Sequence, residues 1–119
     1  MMQEKCDQMS VLLTRMIDLI DDALWQQNFF RARAHIQAAD LNDGESVRVA
    51  ANAVMGMYGG MGALDDMFLS DIKHQYGCSE LKAAEFDECR DRLWSLAYEV
   101  KYAAYDSFKE QARKEDGEE

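Results

Sequence analysis

From Met2 to Leu24 the apolar residues fall at Met2, Cys6, Met9, Leu13, Met16, Ile17, Ile20 and Leu24. Steps of three and four residues put them on one face of a helix, whereas a half-buried strand would alternate. The spacing returns at Phe29, Ala32, Ile36 and Ala39, at Val47, Ala50, Ala51, Val54 and Tyr58, and at Phe86, Cys89, Leu93, Ala97, Val100 and Ala104. The repetition predicts an all-α fold: a single-domain bundle of about five helices with a Gly-rich connection in the middle. At 119 residues the chain has length for one core that needs neither disulfide nor metal, and none for a second domain. Residues 1–113 are expected to form that domain, with the charged stretch 114–119 fraying.

Turn formers divide the helices. Gln26-Gln27-Asn28 interrupts the first pattern, and Asn28 is expected to cap a helix starting near Phe29. His35 falls outside the stripe of that helix and reads as a surface residue. Leu41 to Ser46 ends it, with Asp43 or Ser46 as the cap of a helix from about Val47. Its small residues, Ala50, Ala51, Ala53 and Gly56, let a neighbouring helix come close. Gly59, Gly60 and Gly62 then crowd a short stretch where unusual backbone angles are expected, giving a shaped connection. Asp65 and Asp66 behind them suit a helix N-terminus, where carboxylates cap and offset the dipole, and their charge argues against phosphate there. Leu64, Met67, Phe68 and Ile72 keep helical spacing, with a short strand at Met67-Phe68-Leu69 as the alternative. Ser79 is a capping type, and the last helix is expected to run from there towards Arg113.

The chain carries 13 Lys and Arg against 23 Asp and Glu, a net charge of −10. Such a balance speaks against direct nucleic-acid binding, which needs a surplus of cations on one face, and favours a basic protein partner. The acidity is uneven: 12 acidic and seven basic residues follow from Ser79 onward, against five and two between Met1 and Asn28. The first and last helices therefore carry most of it. Beside its apolar stripe the last helix has a second one, Trp94, Tyr98, Tyr102 and Tyr105, more aromatic surface than one packing face buries. Either that helix is central to the bundle or the stripe meets another protein. Asp18, Asp21, Asp22, Glu88 and Glu99, with Trp94, Tyr98 and Tyr102, are the candidate partner contacts.

Catalytic constellations are sparse. No nucleophile elbow, His-Glu-x-x-His, Walker loop or Cys-x-x-Cys occurs. His74 and Cys78 stand four apart with Asp71 just before, but Gly77 interrupts the helix between them and no second zinc-like pair follows. The adjacent carboxylates of Asp21-Asp22 and Asp65-Asp66 would point about 100° apart on a helix. No catalytic residue, metal or cofactor is expected. The alternative is a small metal-dependent enzyme around Asp65, Asp66, Asp71 and His74. The residues from Met1 to Asp7 mix charges without an apolar run, so no signal peptide is read and a cytoplasmic location is expected. The longest uncharged stretch, Val49 to Leu64, is too short and glycine-rich to span a bilayer. Cys6, Cys78 and Cys89 are an odd number at irregular spacing and read as free thiols.

Leu12-Leu13 to Leu24-Trp25, Phe29 to Ala39, and the block Tyr58-Gly59-Gly60-Met61-Gly62-Ala63-Leu64-Asp65-Asp66 together resemble an uncharacterised family of small bacterial proteins. That family carries a Gly-Gly-Met-Gly-Ser-Leu-Asn-Asp block; here Ala63 replaces the Ser and Asp65 the Asn, which keeps the turn and removes a hydroxyl and an amide. Such proteins look like the accessory proteins encoded near polymorphic toxins. The resemblance thus implies a cytosolic bacterial immunity-type protein that blocks a cognate toxin domain, and the −10 charge complements a basic nuclease. A self-associating bundle, dimerising through the Trp94, Tyr98, Tyr102 and Tyr105 stripe, is the alternative.

Overall fold

The computed structural model describes residues 2–20, 22–58 and 80–117, with the side chains of the last stretch described from 82 to 104. Among the described residues there are four helices and no strand: α1 (Met2–Leu19), α2 (Ala23–Ala38), α3 (Gly44–Met55) and α4 (Glu80–Gly117). The fold is all-α. The fifth helix expected around Leu64 to Ile72, the possible strand at Met67-Phe68-Leu69 and the cap at Ser79 lie outside the described residues.

The helices close into a ring. α4 packs along α1 on one flank and α3 on the other, while α2 joins α1 to α3. Phe29 of α2 crosses the ring to Phe86 of α4, with ring centroids 6.0 Å apart. Both rings are fully buried, together with Met9, Leu13 and Met16 of α1 and Val54 of α3. Burying one such side chain contributes about 1.5–3 kcal/mol, so this centre outweighs any surface ion pair in the molecule.

The first boundary differs from the expected one. α1 stops at Leu19, before Leu24, and Asp22 rather than Asn28 caps α2, its carboxylate accepting the Trp25 backbone N–H at 3.0 Å. Gln26 reaches back from α2, its Nε2 donating to the carbonyls of Ile17 at 3.1 Å and Ile20 at 2.9 Å. Carbonyls that a helix end leaves unpaired are thereby satisfied, which is what lets the chain turn here. Leu24 consequently faces solvent at 68% exposure instead of extending the α1 stripe. Asn28 sits inside α2.

The α2–α3 connection follows the expected chemistry. Asp43 caps α3, accepting the Glu45 N–H at 3.1 Å, so α3 begins at Gly44, three residues before Val47. Ser46 instead accepts the Asp40 N–H at 2.9 Å, and Asp40 accepts from Asn42 N–H at 3.0 Å. These bonds close a turn of local side-chain-to-backbone contacts.

α4 is 38 residues long, and at 1.5 Å per residue it spans about 57 Å. It continues to Gly117, beyond the Arg113 limit read from the sequence. Ala83, Phe86, Arg90, Leu93, Ala97, Val100 and Ala104 follow one another in alternating steps of three and four, and none is more than 4% exposed. This seam faces the centre of the ring. No helix of the described residues is long and apolar enough to cross a membrane.

Candidate interaction surface

The seam of α4 divides its remaining surface into two flanks. On the α1 flank the helices run antiparallel, tied by Arg15 to Glu85 through a two-pronged guanidinium–carboxylate contact and by Lys5 to Glu99 at 3.3 Å. Hydrogen bonds from Arg15 hold the Glu85 carboxyl below its ordinary pKa. Cys89 lies buried beside this seam; burial first, then the negative charges of Glu85 and Glu88, push its thiol pKa up. Cys6 is likewise buried and raised, by burial and then by Asp7. Both are free thiols and neither is activated as a nucleophile. Cys78 lies outside the described residues.

On the α3 flank stand the aromatic residues. Trp94 is 39% exposed, Tyr98 47% and Tyr102 49%. Trp94 leans on Tyr58, centroid to centroid 4.9 Å, and Tyr98 on Tyr102 at 4.5 Å. Tyr105 has no described side chain. Tyr58 itself is fixed because its hydroxyl donates to the backbone carbonyl of Arg90 at 2.7 Å. The aromatic stripe therefore rests on an ordered partner at one end and opens to solvent along the rest. Spread over three successive turns, it is an exposed aromatic surface of the kind that protein interfaces favour at their centre.

Arg90 is the residue that sequence reasoning missed. It occupies a core position on the seam, only 4% exposed, and its guanidinium reaches Asp87 at 3.3 Å and Asp91 at 3.0 Å. Burying that charge is tolerable only with carboxylates so placed. The alternating spacing of Ala83, Phe86, Leu93 and Ala97 contained the signal, since it runs through position 90. Asp91, whose side chain is 73% exposed, thereby lies one helical turn before Trp94 and two before Tyr98. It is the carboxylate that accompanies the aromatic stripe.

The candidate contacts divide accordingly. Asp18 is exposed on α1, and its charge acts on Arg15. Glu88 and Glu99 are exposed on α4, Glu88 near enough to Cys89 for its charge to act on that thiol and Glu99 engaged by Lys5 of α1. Asp22 is committed to capping α2. Asp21, and the loop residues Gly59, Gly60, Gly62, Asp65 and Asp66, lie outside the described residues, as do Asp71 and His74. Among the described residues, no group of three or more His, Cys, Asp or Glu side chains is placed to hold a metal ion.

Fold and surface together define a small helical domain with an exposed aromatic stripe and an acidic last helix. Residues 19–77 match the family described as a domain of unknown function (DUF6966), a match of just under half the chain. It takes in α2 and α3 whole and stops before α4 begins. The outward face of α4 is thus outside the matched region. No curated protein and no solved structure matches the chain.

Proposed function

We propose that this chain is a bacterial immunity-type protein that binds a cognate toxin domain, a basic nuclease being the chemistry its surface complements. The observation that carries the reading is the solvent-facing stripe of Trp94, Tyr98 and Tyr102 on a helix that also presents Asp91, Glu88 and Glu99. Rigid aromatic rings make strong anchors at protein interfaces, and a rim of carboxylates speeds encounter with a cationic partner and selects it. Net charge of −10 acts in the same direction. The location of this face outside the matched family region suits a surface whose partner varies while α2 and α3 stay as scaffold. Blocking follows if the acidic residues occupy the groove in which the nuclease would hold phosphates.

The test pairs the protein with the C-terminal domain of a toxin encoded beside it. Cells expressing the protein should survive that domain, and the two should co-purify in equal amounts. Replacing Tyr98→Ala and Tyr102→Ala, both exposed and away from the core, should weaken the complex about a hundredfold, as loss of interface anchors does. Survival that is unchanged by the double substitution removes this face from the interface. Light scattering decides the other reading: a dimer that the same substitutions convert to a monomer assigns the stripe to self-association.

A further inference from the structure

α2 contains no Asp or Glu from Ala23 to Ala38, an exception in a chain this acidic. On its α3 side Asn28, Arg31 and His35 follow at steps of three and four, so they share one face. They line a groove of about 330 Å³, with Asn52 of α3 opposite and a floor that includes Ala32 and Ala53. No carboxylate lines it.

Of the other cations with described side chains, Lys5 holds Glu99, Arg15 holds Glu85, Arg48 holds Glu45, and Arg90 holds Asp87 and Asp91, while Arg92 and Lys101 on α4 make no ion pair with a described residue. Arg33 donates to the Thr14 hydroxyl at 2.8 Å and lies over the Phe30 ring. Arg31 and His35 face the groove with neither an ion pair nor a hydrogen bond to any described residue. A guanidinium-bearing, an imidazole-bearing and two carboxamide-bearing residues thus line one small groove. We propose that the α2–α3 groove binds the phosphate group of a small phosphorylated molecule through Arg31, His35, Asn28 and Asn52.

Phosphate fits this donor set better than carboxylate. Its three terminal oxygens and two negative charges let it accept from the fork of an Arg and from several further donors spread around it, whereas a carboxylate has two oxygens in one plane and a single charge. Two terms oppose binding, and both are small here. The net charge of the protein repels an anion, but screening over about 8 Å at physiological salt leaves the local donors in control. The α3 C-terminus also points its negative end at the groove. Its carbonyls at Asn52, Val54 and Met55 are occupied by the N–H groups of Gly56, Met57 and Tyr58, at 2.8, 3.1 and 3.0 Å, which blunts that end. The groove lies within the matched family region, unlike the outward face of α4, and is independent of any toxin.

Titration of the full chain with inorganic phosphate at constant ionic strength, followed by amide NMR, tests it. Saturable shifts are expected at the side-chain amides of Asn28 and Asn52 and at the Arg31 Nε–H, with none from acetate at equal ionic strength. Arg31→Gln should weaken the apparent affinity about tenfold, the loss of one charge-assisted pair, and Arg31→Gln with His35→Gln should abolish saturation. Both residues are exposed, so an unchanged urea midpoint confirms that each variant is folded. Shifts that rise linearly without saturation, that appear equally with acetate, or that persist in the double variant overturn the assignment.

Discussion

The Tyr58 hydroxyl donates to the backbone carbonyl of Arg90 at 2.7 Å, joining the chain just beyond α3 to the N-terminal third of α4. Tyr58→Phe keeps the ring and removes this bond, so a loss of about 1 kcal/mol is expected in urea denaturation. Tyr58→Ala also withdraws the ring from Trp94. In a Trp25→Phe background, Trp94 emission should then shift to the red, while Tyr58→Phe should leave it unmoved.

Arg90 offers a second test because its charge is buried and its aliphatic stem fills the seam. Arg90→Ala should cost about 3–5 kcal/mol, combining a cavity with the loss of the cation that holds Asp87. Arg90→Met restores most of the volume, and its cost should fall to less than half that of Ala. Equal costs would mean that packing contributes little at this position.

Asp22 separates capping from recognition. Asp22→Ala should lose about 1 kcal/mol of stability with its N-cap bond, whereas Asp22→Asn keeps an oxygen acceptor and should lose little. Urea midpoints check the first effect. A toxin complex weakened by the Asn variant at unchanged stability would restore Asp22 to the list of direct contacts.

The Arg15–Glu85 contact gives stability a pH dependence of known sign. The folded-state pKa of Glu85 is lowered, so its contribution is present above the ordinary carboxylate pKa and is lost as pH falls through the folded value. Glu45 beside Arg48 acts in the same direction. Both groups are solvent-exposed, so the effect should shrink in high salt. Glu85→Gln should flatten the acid limb of a stability-versus-pH curve and leave the curve near neutrality almost unchanged.

Cys6 and Cys89 titrate the other way. Their raised pKa values mean that stability is complete below the ordinary thiol pKa and declines as pH rises past it, when the unfolded chain ionises first. In a Cys78→Ser variant, a disulfide reagent such as dithionitrobenzoate should react slowly with the native protein and fast after unfolding. Two fast thiols in the native state would contradict their burial.

The helices themselves were legible because apolar spacing is imposed by the core: Met9, Leu13, Phe29, Ile36, Val47, Val54, Phe86 and Val100 are all buried as their periodicity requires. The α1–α2 boundary was not, because Leu24 continues the arithmetic of Ile20 by coincidence. There the decisive groups were polar: the Asp22 carboxylate and the Gln26 amide act on backbone groups, and periodicity carries no information about that. Arg90 was missed for a related reason. A charged residue is read as solvent-facing until its partners are known, and Asp87 and Asp91 become partners only once position 90 is placed on the seam. The aromatic stripe was visible as excess, but its support by Tyr58 depends on where α3 ends against α4.

A ring of helices closed by its last member also sets an order in time. Arg15 meets Glu85 across 70 positions of chain, so α1 must wait for the far end before its own apolar face is covered. Contacts this distant in sequence are slow to form. During synthesis α1, α2 and α3 would emerge with one wall of their core missing, in a window when chaperones or a neighbouring chain can reach Met9, Leu13 and Phe29.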